Sequence, residues 1–466
     1  MSRRPAALLA LALALVEVGC GGRAAGPTIS AAPSTARASA SGAPSPLPPL
    51  AAEWPEYHRS ADRTGLGPTL PALSTPQVAW TAGVDGAVYA SPLIVAGHVL
   101  VATENNTVYS LDLFTGAAVW QAHLGDPVDA SSLPCGNISP VTGITGTPAA
   151  DLATGRLYVV AYLNGYHHVL FTLSLVDGKV LGQQDVDPPG SQPTVQQERG
   201  ALALGSGYVY VPFGGLYGDC GNYNGYLQAV PLGGGTVHSY RVPSPREGGI
   251  WSPAGPTIAA SGAVYVVTGN GSSQSSFDYS NSVVELPWDL SAVQSYFAPT
   301  NWKSLNATDT DLGSVGATLL PSMGVIVAIG KEGVAYLLKA DQLGSIGGQV
   351  ASQRVCSGAW GGTAWSGSTV FIPCADGLVA LSVTPTSIGV AWKAVHPVLG
   401  SPILAAGAVW AIEPASGTLY ALDPSSGGVI YSTNLGGARA FSTPAATEGY
   451  VVAPAGTRVV AISTGA

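Results

Sequence analysis

Charged side chains are scarce in this chain: 18 lysines and arginines and 27 aspartates and glutamates among 466 residues, or 10 %. A globular protein usually carries about 25 %. With so few basic groups and a net charge of −9, the chain has no electrostatic footprint for nucleic acid, and no nucleic-acid partner is expected. Lysine and glutamate, both good helix formers, are too rare for a mainly helical protein. The five cysteines contain no C-x-x-C, which argues against a zinc ribbon and against covalently attached haem. No G-x-S-x-G, Walker loop or zincin motif occurs. What abounds is glycine and proline, 61 and 36 residues, with hydrophobic residues at 46 %. That is ample material for a core, cut by many turns.

The N-terminus reads as an address. Arg3 and Arg4 precede an apolar run of 11 residues, Ala6 to Val16. A permanent span needs about 20 residues, so the run suits a secretory signal over 1–19. The following Glu17-Val18-Gly19-Cys20 resembles a bacterial lipobox, although Glu17 stands where an apolar residue is usual. The resemblance implies lipidation at Cys20 and a membrane partner through that anchor. Residues 20–53 are then the lipidated cysteine and a disordered Ala/Ser/Pro tether, and 54–466 the folded domain. The expected location is extracytoplasmic, anchored to the cell membrane as a lipoprotein. Four cysteines remain in the domain, an even number that in an oxidising compartment suggests two disulfides. Three connectivities are possible. Cys356–Cys374, close in sequence, is favoured, which leaves Cys135–Cys220.

The body of the chain repeats. In residues 88–120 a small residue and Pro92 precede a strand that ends before Gly97. A second strand, a turn at Asn105-Asn106 and a third strand ending at Leu111-Asp112 follow. A turn at Thr115-Gly116 leads to a fourth strand carrying Trp120. Residues 401–431 repeat those landmarks at Ser401-Pro402, Gly407, Gly417, Leu422-Asp423 and Gly427. Self-similarity of this kind is a propeller signature. Repeat starts at Pro92, Pro148, Arg199-Gly200, Pro253, Ser314-Val315, Gly362-Thr363, Pro402 and Pro444 predict an all-β, eight-bladed β-propeller. The last repeat holds only three strands, and residues 76–84 are expected to supply the fourth and shut the ring.

The pattern of small residue–Pro, Gly, Val-Tyr-Val, Gly-x-L-x-A-L-D and a late Trp resembles the pyrroloquinoline quinone (PQQ) repeat, plainest at Tyr420-Ala421-Leu422-Asp423. The segment Trp54–Gly65 is similar to the leader of many such bacterial propellers. The resemblance implies one of two activities. One branch comprises quinoprotein alcohol dehydrogenases; the other comprises cofactor-free scaffolds similar to the outer-membrane barrel-assembly lipoprotein. In the enzymes PQQ stacks on a tryptophan at the axis beside a calcium ion. On that resemblance Trp251 takes the stacking position, and Asn270 in Thr268-Gly269-Asn270 the calcium position. Asp309 or Asp311 is the catalytic base, and Lys331 the basic contact to the quinone. Asp219 could stand for a calcium-binding glutamate, and Arg199 could take a PQQ carboxylate. The enzymes' adjacent cysteine pair is missing. Each residue also has a structural reading: Trp251 as a blade-junction cover, Asn270 as a turn residue, Lys331 as a partner of Glu332. The pair His167-His168 reads as structural. The expectation is a binding or scaffold propeller without cofactor, taking a protein or small molecule at its axial face. The alternative is a PQQ- and calcium-dependent dehydrogenase of alcohols or sugars. For an enzyme, the side chains named above must converge on one polar pocket at the axis.

Overall fold

The computed structural model describes residues 53–68, 72–394, 399–447 and 449–465. The predicted signal, lipobox, Cys20 and tether lie outside the described residues. Eight sheets follow one another along the chain, six of four strands and two of five, antiparallel except where Phe297 and Ala298 pair in parallel with Ser345 and Ile346. In the first, Leu93–Val95, His98–Ala102, Thr107–Asp112 and Ala118–His123 pair in sequence order. Innermost strands are short, and Leu93–Val95, Ile403–Ala405 and Ala445–Thr447 are buried along their length. The outermost strands are largely exposed, completely so at Val180–Asp185. Burial therefore decreases outward, and apolar strands such as Val325–Ala328 face the neighbouring blades. An alternating pattern marks the outer strands at the rim.

The predicted closure is present. Gln77–Gly83 pairs antiparallel with Arg458–Ser463, from Gln77 opposite Ser463 to Gly83 opposite Arg458. The last blade thus contains both ends of the domain, and its edge is covered. The landmark residues have identifiable duties. Asp112 Oδ1 accepts hydrogen bonds from the N–H groups of Phe114 and Thr115 and from the Thr115 hydroxyl. Asp423 caps the equivalent turn through Ser425 and Ser426. Gly116, at φ +71°, completes the turn and leaves room for a tryptophan from the preceding blade. A Cβ on Gly116 would lie 2.6 Å from the Trp80 ring, one on Gly178 2.5 Å from Trp120, and one on Gly427 2.7 Å from Trp392. Each indole N–H donates to a carbonyl of the same neighbouring blade: Leu113, Leu175 and Pro424. The late tryptophan and the turn glycine are two halves of one inter-blade contact.

Both favoured disulfides form. Cys135–Cys220 has its Cα atoms 6.2 Å apart and Cys356–Cys374 6.1 Å apart, within the usual range. The second staples the end of the fifth blade to the sixth. The first ties an insertion ahead of the second blade to a loop of the third. The leader does more than precede the ring. Trp54, Pro55, Ala61, Thr64, Gly65 and Gly67 bond the backbones of Ile94, Ala150, Ile258, Trp365 and Leu404. Arg63 donates to the carbonyls of Leu202 and Pro256. This segment therefore crosses the inner edges of six blades, with its own Tyr57 and His58 buried.

Candidate functional site at the propeller axis

The turns after the second strands of the fourth and fifth blades and the linkers that precede these two blades build one cluster. In the fourth blade this turn is Thr268-Gly269-Asn270. A Cβ on Gly269 would fall 2.3 Å from Asp311 Oδ1 and 3.1 Å from the Trp251 indole nitrogen, so glycine is what allows all three to meet. Asp311 Oδ1 accepts the Asn270 backbone N–H at 2.7 Å. Its Oδ2 pairs with Lys331 Nζ at 2.5 Å. Lys331 reaches Asp309 Oδ1 at 3.0 Å and lies over the Trp251 ring, 5.8 Å from its centroid. Trp251, Asn270, Asp309, Asp311 and Lys331 therefore come together from the fourth and fifth blades and the linkers that precede each of them. Lys331 pairs with these aspartates; Glu332 instead accepts from Asn301 and Tyr336.

The other expected residues stand apart. Asp219 accepts the Tyr223 hydroxyl at 2.5 Å, held beside the Cys135–Cys220 bridge. Between Asp219 and the aspartates lies Glu247, paired with Arg246. Among the described residues no three of Asp219, Glu247, Asp309 and Asp311 bring carboxylate oxygens within 4.8 Å of one another. Burial raises the Glu247 carboxyl above its usual range against the pull of Arg246, and the charges of Asp219, Asp309 and Asp311 add to the rise. Asp309 is raised by burial against the hydrogen bond from Lys331. For Lys331 burial alone would lower the ammonium, but Asp311 and Asp309 together outweigh it and the net shift is upward.

Arg199 lies on the far side of Phe441. Its guanidinium carbon is 5.9 Å from the Phe441 ring centroid, and that ring is 6.3 Å from Trp251. Arg199 donates to Asn137 and Gln197. Beside it stands Glu104, which accepts the Gly143 N–H at 2.6 Å and the Thr145 hydroxyl at 2.9 Å. Burial pushes the Glu104 carboxyl up to about 7, opposed by those bonds and by Arg199 and Arg439. Glu198 is raised still further by burial and by Glu104. Tyr57, Tyr89, Thr145, Arg199, Pro253 and Phe441 leave about 10 Å³ between them, the space of one water at most.

Sequence reasoning missed Glu104, Glu198, Glu247, Tyr223 and Phe441. For Glu104 a signal existed: it follows the second strand of its blade, as Asn270 and Lys331 do in theirs. Phe441 carried none.

The arrangement tests a PQQ and calcium site. Phe441 and Lys331 crowd the Trp251 ring, both Asp311 oxygens are engaged, and the remaining carboxylates do not converge. As placed, these side chains do not fit PQQ with its calcium ion.

Comparison with known proteins agrees with the PQQ-repeat propeller superfamily. A family described as outer membrane protein assembly factor BamB matches residues 63–165. No curated protein sequence matches. Among solved structures, a quinohemoprotein alcohol dehydrogenase from Pseudomonas putida HK5 superposes with a TM-score of 0.72 at 15 % identity, covering 89 % of this chain and 80 % of that one. A second, from Comamonas testosteroni, gives 0.69 at 17 % identity, with the same coverages. BamB from Moraxella catarrhalis gives 0.57 at 13 %, covering 84 % of this chain and 98 % of that one. Identities this low speak for the fold alone.

Proposed function

We propose that this PQQ-repeat propeller is a cofactor-free binding module outside the cytoplasm, anchored to the cell membrane as a lipoprotein, which receives a protein partner on its axial face. The observation that carries the reading is Phe441: its ring stands between Trp251 and Arg199, 6.3 Å from the indole and 5.9 Å from the guanidinium carbon. Two disulfides support an oxidising compartment. The BamB-like match over 63–165 supports a scaffold role.

The second reading, a PQQ- and calcium-dependent dehydrogenase, is favoured by the meeting of Trp251, Asn270, Asp311 and Lys331. It requires Phe441 to swing away and Lys331 to release Asp311. In that case Trp251 would offer the stacking face, Asn270 and an aspartate would hold the ion, and the freed Asp309 or Asp311 would accept a proton. The bound quinone would supply the two-electron redox step.

Equilibrium dialysis of the full chain with PQQ and Ca²⁺ separates the two. The scaffold reading expects no saturable PQQ binding and no dye-linked alcohol oxidation. A photo-crosslinker at the exposed Asp309 should also capture a protein in the intact cell envelope where one at the outer-strand residue Val180 does not. Saturable PQQ binding with turnover would overturn the scaffold reading and establish the dehydrogenase.

A further inference from the structure

The pair His167-His168 is not isolated. His167 opens the third strand of the second blade (His167–Ser174), and Asp185 ends the fourth (Val180–Asp185). Val169 lies opposite Asp185 in the ladder. Extending that register by two residues sets His167 across from Asp187. Residues two apart share a face of a strand, so His167, Asp185 and Asp187 gather on one face at the blade's outer edge.

Their geometry is not that of a hydrogen-bonded pair. His167 Nδ1 lies 3.4 Å from Asp185 Oδ2 and 3.5 Å from Asp187 Oδ2, beyond the roughly 2.7–3.2 Å of a good bond. Each carboxylate has its other oxygen tied down. Asp185 Oδ1 accepts the Asp187 backbone N–H at 2.9 Å. Asp187 Oδ1 is 2.7 Å from His168 Nδ1 and accepts the His168 backbone N–H at 3.3 Å. His168 is in turn locked in the core, stacked on Tyr162 at 4.3 Å with its edge against Phe213. Two aimed oxygens and one imidazole nitrogen are left facing a common point.

The geometry points to a mononuclear site for a divalent cation of the zinc class, ligated by Nδ1 of His167 and Oδ2 of Asp185 and Asp187. Zinc bonds of about 2.0–2.2 Å in a tetrahedron place ligand atoms about 3.3–3.5 Å apart, which matches the two nitrogen–oxygen separations. The imidazole ligand selects against magnesium and calcium, which take oxygen. His167 and Asp185 are each 58 % exposed, so the fourth position opens to water. His168 is the positioning residue that orients Asp187, a partner of the kind that metal sites use behind a ligand. The second cluster with ligand-type atoms, Cys356, Cys374 and Asp376, offers no such site because its sulfurs are bonded to each other.

The test uses the untagged full chain, stripped with chelator and titrated with Zn²⁺ against a chromophoric competitor. One Zn²⁺ per chain is expected. His167→Ala and Asp185→Asn should each abolish binding, while the remote His238→Ala leaves it intact. Because His167 is exposed, its replacement should leave the metal-free unfolding curve unchanged, which separates lost ligation from lost fold. His168→Phe keeps an aromatic ring in the core and should weaken binding about 10–100-fold. With Co²⁺ in place of zinc, the visible absorption of a four-coordinate site should appear in the native chain and vanish in His167→Ala. A chain that takes up no Zn²⁺, or that takes it up equally well after His167→Ala, overturns the assignment.

Discussion

Replacing Gly116 with alanine probes how one blade is held to the next, at the junction where the ring closes. Gly116 has φ +71°, and an added Cβ would sit 2.6 Å from Cε3 of Trp80. Trp80 belongs to the closing strand Gln77–Gly83. It is 8 % exposed and donates its indole N–H to the Leu113 carbonyl at 2.7 Å. Gly97 in the same blade is the internal control: its φ is +78°, but a Cβ there would meet nothing within 4 Å. Both alanines pay the left-handed backbone cost of about 1–2 kcal/mol. Only Gly116→Ala must also expel the indole, and losing a buried tryptophan's packing costs about 3–5 kcal/mol. The expectation is about 1–2 kcal/mol for Gly97→Ala and about 4–7 kcal/mol for Gly116→Ala. A domain of this size moves only about 1 °C in Tm per kcal/mol, so the readout is the urea midpoint. The decisive step is the double variant. In a Trp80→Ala background the ring is gone, and Gly116→Ala should cost no more than Gly97→Ala. Equal costs for the two glycines in the native background, or a Gly116 cost that is the same with and without Trp80, would refute the reasoning.

Three further outcomes are expected. Glu104 is protonated in the fold up to about pH 7, against 4.5 for an ordinary glutamate. The folded state then holds a proton that the unfolded chain has lost, so stability falls as pH rises from 4.5 to 7, by on the order of 3 kcal/mol. Glu104→Gln should flatten that part of the urea-midpoint profile and leave the variant the more stable at pH 8; an unchanged slope speaks against a buried neutral carboxyl. Lys331→Met strands the nearly buried Asp311 without its cation and should cost up to about 3–5 kcal/mol, most of it recovered on adding Asp311→Asn; no recovery would mean that the pair is not the source of the loss. A soluble chain beginning after Cys20, denatured without reductant, should show no titratable thiol, and four only after reduction; four before reduction would rule out both bridges.

The repeat, the number of blades and the closing strand were legible because each rests on local chemistry. An aspartate that caps its own turn, a glycine at positive φ and a tryptophan on the fourth strand recur at a fixed spacing, as at Asp112, Gly116 and Trp120 or at Asp423 and Gly427. A fourth strand missing from the C-terminus and supplied by residues 76–84 follows from counting. The meeting of Trp251, Asn270, Asp311 and Lys331 was also foreseeable, since blade starts and the turns after second strands converge near one axis. What fills that axis was not. Phe441 is one apolar residue before a proline-started strand, and nothing near it in the chain says that its ring lies between Trp251 and Arg199. Glu104 acquires its raised proton affinity from burial, which outweighs Arg199 and Arg439 from other repeats. His167 looked structural because its partners Asp185 and Asp187 stand on the next strand, in a ladder register that only the folded blade defines. Short-range spacing specifies turns and strands, whereas the contents of the channel and the edges depend on contacts between segments tens to hundreds of residues apart, which exist only after the ring has closed.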